Sequence, residues 1–203
     1  MTRKPVIIAH HLILTGYGHW LANDPRGSGS MEVYIPHLAE LGEVHAGRKK
    51  IQPQRSVVRE SYQKAEHRLK HELLWFNDAK RQAIGESFSR IIPTQRYTVY
   101  ACAILRNHAH LCVRRHRDDA VAIWHQFADE SCASLRDQRL IPNEHPLWSA
   151  RPSKVFLHTP DDIYRIVRYI NNNPMKEKLP AQTWNFVSDY TGWPHVRSNL
   201  AKK

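Results

Sequence analysis

Apolar and β-branched runs along the chain predict four short strands. The runs cover 6–14, 97–105, 108–115 and 155–157. A long stretch rich in turn-forming residues, 15–30, follows the first run, and Arg106-Asn107 makes a tight connection between the second and third. We therefore expect a central hairpin flanked by an earlier strand and a later strand.

Apolar residues that recur every three to four positions predict helices between these strands. The expected starts are Arg55, the residue after the N-cap Asn77, Asp118-Asp119, and Pro160 after the cap Thr159. We expect the second helix to stop before Pro93 and the last to end near Asn173, because proline disfavours a helical conformation before it. The order β-α-β-β-α-β and then a helix predicts an α+β fold, with a ferredoxin-like antiparallel sheet, helices on one side, and a following tyrosine-bearing helix.

The charge of the chain points to a polyanionic partner. Thirty Lys and Arg against nineteen Asp and Glu give a formal net charge of +11, and a surplus of six lies between Arg48 and Arg81. We expect one domain, 1–203, with a basic helical insertion at about 31–75. Nucleic acid is favoured over a membrane surface, because no basic amphipathic helix with bulky apolar anchors occurs. The insertion is either a solvated helix face or a patch that follows the DNA backbone.

The cysteines and the hydropathy are typical of a cytoplasmic protein. No apolar run approaches the roughly 20 residues of a membrane span. Cys102, Cys112 and Cys132 lack any CxxC spacing, as expected for reduced core thiols.

Two histidines on the third predicted strand are candidate metal ligands. Alternate residues of a strand share a face, so His108, His110 and Cys112 point one way and their neighbours the other. The two imidazoles lie about 6.6–7 Å apart along the backbone, close enough to converge on one cation. Taken alone, this pattern favours two half-exposed histidines on a DNA-facing sheet. A zinc site that includes Cys112 is a further alternative.

The last predicted helix carries a tyrosine and an asparagine at the edge of its apolar stripe. Tyr169 and Asn173 lie one turn apart on that flank. The carbonyl oxygen of an asparagine is a suitable hard ligand for Mg²⁺ or Mn²⁺. Taken alone, a packing tyrosine and a C-cap asparagine are favoured.

Together these motifs resemble those of the HUH single-tyrosine transposases, and among them the REP-associated tyrosine transposases. The resemblance spans 18–174 in the order of the family, and covers 31–75 and the tail only weakly. It rests on the His-hydrophobic-His segment Asn107-His108-Ala109-His110-Leu111, on Tyr169-Ile170-Asn171-Asn172-Asn173-Pro174, and on the loop Gly18-His19-Trp20-Leu21-Ala22-Asn23-Asp24-Pro25-Arg26-Gly27.

The resemblance implies an activity, a cofactor and a partner. Tyr169 would cut single-stranded DNA through a 5′-phosphotyrosine and later allow rejoining, acting on hairpins or REP-like repeats. His108, His110 and Asn173 would hold one divalent cation, Mg²⁺ or Mn²⁺, at the scissile phosphate. The expected partner is single-stranded or hairpin DNA. The protein is expected to be a monomer or a homodimer, and the sequence does not choose between them.

Further DNA contacts are expected mainly from the loop after the first strand. The candidates are Tyr17, Trp20, Asp24, Arg26, Arg106 and Arg165. Tyr17 and Trp20 are expected to stack on unpaired bases, with a core-filling Trp20 as the alternative. Arg26 either pairs with Asp24 to order the loop or contacts a phosphate.

Two other functions stay open at this point. One is a domesticated module that binds a hairpin or repeat without cutting it, and the other is an RNA- or membrane-binding protein with accidental motifs. Tyr164, five residues before Tyr169, is a second candidate nucleophile that faces another direction.

Overall fold

The computed structural model describes residues 5–28, 41–45 and 47–194. Residues 29–40, most of them in the predicted insertion, and residue 46 lie outside the described part. The strands are β1 (Ala9–Thr15), β2 (Val99–Ile104), β3 (His108–Arg114) and β4 (Ser153–Leu157). The helices are α1 (Arg55–Glu66), α2 (Asp78–Gln95), α3 (Ala120–Asp137) and α4 (Pro160–Lys176). The expected α+β class is confirmed.

The four strands form one antiparallel sheet in the order β2-β3-β1-β4. β2 and β3 make the expected hairpin, and β1 pairs with β3 on one side and β4 on the other. In the β1–β3 register, His11 lies opposite Cys112, and Thr15 lies opposite His108. The two central strands therefore bring residues about 100 positions apart in the chain onto one surface.

Alternation along these strands sends side chains into two separate cores. Leu12 and Leu111 belong to the larger core, which includes Phe88 of α2 and buried residues of α3. Ala9, Ala101 and Cys112 belong to the smaller core, together with Ile163 and Ile170 of α4. The pair α2 and α3 thus covers one face of the sheet. The helix that carries Tyr169 covers the opposite face.

Local capping sets the three long helix starts where the sequence predicts them. The Asn77 side chain accepts a hydrogen bond from the Lys80 backbone N–H, and Asp119 caps α3 in the same way. Thr159 and Asp162 form a reciprocal capping box at the start of α4.

Two helix ends differ from the prediction. Helix α2 continues past Pro93 to Gln95, and α4 continues past Pro174 to Lys176. A proline in the last turn removes only one helical hydrogen bond. Burial of Ile92 and of Pro174 itself offsets that loss. Across the described ranges, no helix is both long and apolar enough to cross a membrane.

Candidate active site

Three histidine side chains meet on the α4 side of the two central strands. The ring centroids of His108 and His110 lie 4.8 Å apart with the rings nearly perpendicular. The ring of His11, from β1, lies 5.0 Å from that of His110. Strand alternation had placed His108 and His110 together. His11 was missed, because only the pairing of β1 with β3 brings it to them.

Hydrogen bonds leave the outer nitrogen of each motif histidine free. His108 Nδ1 donates to Asn107 Oδ1 at 2.7 Å, so its proton sits on Nδ1. His110 Nδ1 shares a 2.9 Å hydrogen bond with His11 Nε2. His110 Nε2 is buried and has no hydrogen-bond partner. A buried polar nitrogen without a partner is uncommon and calls for a ligand as explanation.

The three imidazoles are neutral at pH 7, the form that binds metals. Burial lowers the pKa of His11 to about 4. Burial, with the neighbouring rings of His19 and His11, lowers the pKa of His108 to about 4. Burial and the ring of His108 hold the pKa of His110 well below its ordinary value.

Helix α4 places Tyr169 against these histidines. The centroid of its ring lies 5.5 Å from that of His110 and 6.0 Å from that of His11, edge to face in both cases. Tyr169 is 41% exposed, so a ligand can reach it from solvent. The Lys176 ammonium lies 4.9 Å from the centroid of the Tyr169 ring. An accessible phenol, a cation and neutral imidazoles therefore lie together.

Asn173 supplies a second buried polar group without a partner. The residue is buried one helical turn after Tyr169, and its Nδ2 makes no hydrogen bond. A half-turn of the amide exchanges Nδ2 and Oδ1, so the same position can offer an oxygen.

A metal ion fits this set of donors. Within the described ranges, no group of three or more His, Cys, Asp or Glu side chains is placed to hold a metal. A third protein ligand would therefore come from another residue type, such as the amide of Asn173. Two neutral imidazole nitrogens and one amide oxygen are donors that a divalent cation such as Mn²⁺ accepts.

The alternative zinc site is not formed. Cys112 is fully buried in the smaller core under α4, where burial raises the pKa of its thiol to about 12. A thiol held protonated is a poor zinc ligand, since the thiolate is the form that binds.

Comparison with protein-family models and with curated protein sequences finds no match. A similar solved structure is that of a REP-associated tyrosine transposase bound to a REP hairpin. The two chains are 10% identical, the likeness covers 87% of this chain and 73% of that one, and the TM-score is 0.47. That protein is of the type the sequence motifs resemble. At this TM-score the likeness carries no argument about the site, and the side-chain geometry has to carry it.

The loop after β1 is tied to α1 by a buried carboxylate. Asp24 accepts hydrogen bonds from Arg26 Nη2 at 2.6 Å and from the Tyr62 hydroxyl at 2.7 Å. Burial raises the pKa of Asp24, but these hydrogen bonds bring it below its ordinary value. Of the two interpretations of Arg26, the structure has the pairing with Asp24. Tyr62 was missed as its partner, because α1 is distant from the loop in sequence.

The two aromatic residues of this loop differ in accessibility. Tyr17 is half-buried, with its ring edge-on to the rings of His71 and His145 at 5.7 and 5.4 Å. Trp20 is 44% exposed, with the Arg26 guanidinium 4.1 Å from the centroid of its ring. Tyr17 therefore packs against neighbours within the chain. Trp20 stays accessible and is not the core-filling residue of the alternative.

The remaining predicted DNA contacts lie at the two ends of α4. Arg165 is exposed and pairs with Asp162 in the first turns, at 2.7 Å. Arg106 donates to the Glu177 carbonyl at 2.5 Å, and so ties the β2–β3 turn to the end of the helix.

Proposed function

We propose that this protein is a metal-dependent endonuclease and transposase that cuts single-stranded DNA with Tyr169 as the nucleophile. The observation that carries the proposal is an accessible tyrosine packed on two buried histidines, one of which has an unpartnered Nε2. A phenol beside donors for a cation is the constellation that attack on a phosphodiester requires.

The topology of the sheet supports the finer part of the fold prediction. β3 lies between β1 and β2, and β1 lies between β3 and β4, so each helical crossover skips one strand. This split arrangement is that of a ferredoxin-like sheet. We propose such a sheet within a single domain, 1–203, with 31–75 as a basic insertion.

His108, His110 and Asn173 would hold one divalent cation, Mg²⁺ or Mn²⁺. When bound, the cation would supply positive charge at the non-bridging oxygens of the scissile phosphate. The hydrogen bonds from Asn107 Oδ1 to His108 and from His11 to His110 orient the two rings. Ligand rings fixed in this way lose less freedom when the cation binds.

Tyr169 performs the bond exchange. Its oxygen forms a bond to phosphorus while the bond from phosphorus to the 3′-oxygen breaks. The products are a 5′-phosphotyrosine and a 3′-hydroxyl, and the proton lost by the phenol balances the one gained by the 3′-oxygen. The exchange keeps one phosphodiester-type bond throughout, so a 3′-hydroxyl can reverse it without ATP.

The proposal is tested with end-labelled single-stranded oligonucleotides that carry the palindromes flanking the protein's own gene. They are incubated with wild type, Tyr169→Phe or Tyr164→Phe, in Mn²⁺ or in EDTA, and run on a denaturing gel. Tyr164 is the matched control, since it is also exposed on α4. A protein–DNA adduct is expected in wild type and Tyr164→Phe with Mn²⁺, and in no other lane.

Other outcomes would contradict the proposal in different ways. An adduct that survives Tyr169→Phe and disappears in Tyr164→Phe would move the nucleophile to Tyr164. Tight binding in EDTA, with no adduct in any lane, would favour a hairpin-binding module that does not cut.

A further inference from the structure

A second cavity lies beside the histidine site, between the start of α1 and the β2–β3 turn. Its volume is about 470 Å³, within the range of small-molecule sites. The residues of its wall that the argument uses are His19, Arg55, Arg59, Trp75 and Asn107.

The cavity is basic and has no acidic residue in the described part of its wall. Arg55 and Arg59 lie one helical turn apart, so their side chains share a face of α1. Neither guanidinium has a carboxylate partner among the described residues. Arg26 also lines the cavity, but its guanidinium is engaged by Asp24. Two arginines are therefore available for a phosphate group.

The start of α1 adds to this positive character. Gln54, the N-cap residue, makes no side-chain cap, and the first turn contains no acidic residue. The positive end of the helix dipole therefore stays uncompensated at the same cavity as the two arginines.

An exposed aromatic ring forms another part of the wall. Trp75 is 55% exposed, although it is large and apolar. The buried His19 holds it edge to face, with the ring centroids 4.5 Å apart. An accessible indole beside guanidinium groups is the arrangement that stacks an unpaired base and binds its phosphate.

One residue joins this cavity to the candidate active site. The amide of Asn107 accepts from His108 Nδ1 at 2.7 Å through its oxygen and donates to His19 Nδ1 at 3.4 Å through its nitrogen. A strand whose phosphate lies at His108 therefore has the cavity next to it.

We propose that this cavity holds one unpaired nucleotide of the DNA strand that is cut, with its base on Trp75 and its phosphate at Arg55 and Arg59. The inference rests on the proposed function and adds a defined subsite to it. It also assigns a role to the start of the basic insertion. The patch on α1 binds one nucleotide in a fixed register with the cut, and its charge is not merely that of a solvated helix face.

The test uses Tyr169→Phe protein in EDTA, so that neither cleavage nor metal enters the measurement. A single 2-aminopurine is moved one position at a time along the single-stranded oligonucleotide, and its fluorescence is read on binding. We expect strong quenching at one position near the cut. Adding Trp75→Ala should abolish the quenching at that position, and Trp75→Phe should restore part of it.

Affinity measurements on the same oligonucleotide provide the charge arm. Arg55→Ala combined with Arg59→Ala should raise Kd about tenfold or more, and removing the base at the quenched position should cost wild type more than the Trp75→Ala variant. Arg90→Ala is the matched control. It also removes one positive charge, in a surface ion pair between α2 and α3, and should change Kd less than twofold.

The outcomes separate this inference from the proposed function. Quenching that is unchanged in Trp75→Ala, or arginine variants that behave like Arg90→Ala, would overturn the nucleotide subsite even if the wild type forms its adduct in Mn²⁺. Position-specific quenching that depends on Trp75, in a protein that forms no adduct, would support the subsite and contradict the nuclease.

Discussion

His11 lies behind a candidate metal ligand without being one in the proposed set. Its Nε2 hydrogen-bonds to His110 Nδ1 and leaves His110 Nε2, on the other side of the ring, without a partner. For His110 to bind a cation through Nε2, its Nδ1 has to keep the proton and donate it to His11. His11 is therefore a positioning residue that selects the tautomer of His110.

Loss of the His11 imidazole should weaken metal binding. We expect His11→Ala to raise the Kd for Mn²⁺ about 10- to 100-fold, the usual cost of losing an outer partner of a ligand. His11→Gln should recover part of the affinity, because its amide oxygen can accept from His110 Nδ1. Mn²⁺ titration followed by electron paramagnetic resonance measures this, with urea unfolding as the check on folding. Equal affinity in wild type and His11→Ala would contradict the role.

Burial of neutral histidines should make the folded state sensitive to mild acid. The pKa values of His11 and His108 are about 4 in the fold and near 6.5 in an unfolded chain, so the unfolded state binds more protons between these values. The free energy of unfolding should therefore be constant above about pH 6.5 and fall towards pH 4, by about 2–3 kcal/mol for each fully buried ring.

Urea unfolding at pH 7.0 and at pH 4.5, without metal, measures this loss of stability. His11→Gln should make the loss smaller, whereas replacing the exposed His125 by Gln should leave it unchanged. A wild type that is as stable at pH 4.5 as at pH 7.0 would show that these rings are not held neutral.

At the scale of elements, α4 places the nucleophile by two means. Ile163 and Ile170 anchor it in the smaller core, and the capping box of Thr159 and Asp162 sets where it begins. Tyr169 and Asn173 then follow from helical periodicity, one turn apart on the flank of the buried stripe.

Removal of the cap should destabilise the protein without changing its chemistry. We expect Thr159→Ala to lower the free energy of unfolding by about 1 kcal/mol, since the Asp162 N–H loses its acceptor. The Kd for Mn²⁺ should stay within twofold, because Thr159 lies more than two helical turns before Tyr169. A large change in metal affinity with unchanged stability would mean that the cap acts on the site and not on the helix.

Whether an element could be predicted depended on how local its cause is. Asn77, Asp119 and Thr159 cap their helices through hydrogen bonds to residues two or three positions away, so the starts were readable from the sequence. The ends at Pro93 and Pro174 were not, because burial in the cores offsets the lost hydrogen bond.

The same distinction holds for the candidate site. His108 and His110 lie on one strand, so alternation alone places them together. His11 joins them only through the pairing of β1 with β3, and Tyr62 reaches Asp24 only through the packing of α1 on the loop. Contacts of that kind depend on the tertiary fold, and no local pattern predicts them.

At the scale of the whole molecule, the sheet separates packing from chemistry. The face covered by α2 and α3 is a continuous apolar core, whereas the face under α4 carries the histidines and Tyr169. The net charge of +11 lies on a fold whose candidate site is otherwise made of neutral groups. Attraction of the strand and chemistry on it are thus assigned to different residues.

DNA binding by this chain should depend strongly on salt. Each phosphate neutralised on a single strand contributes about −0.7 to the slope of log K against log salt. We expect a slope of about −3 or steeper for Tyr169→Phe protein between 50 and 200 mM NaCl, measured by fluorescence anisotropy. A nearly flat dependence would show that the basic surface does not contact the strand.

The central claim is that DNA becomes joined to Tyr169, and peptide mapping of the adduct tests it most directly. Arg165 and Arg168 lie between the two candidate tyrosines, so trypsin separates Tyr164 from Tyr169. Wild-type protein is trapped with a single-stranded substrate in Mn²⁺, digested with trypsin and nuclease, and analysed by mass spectrometry. The account predicts a nucleotide 5′-phosphate on the peptide 169–176, and on no other. A nucleotide on the peptide that contains Tyr164, or on no tyrosine at all, would contradict it.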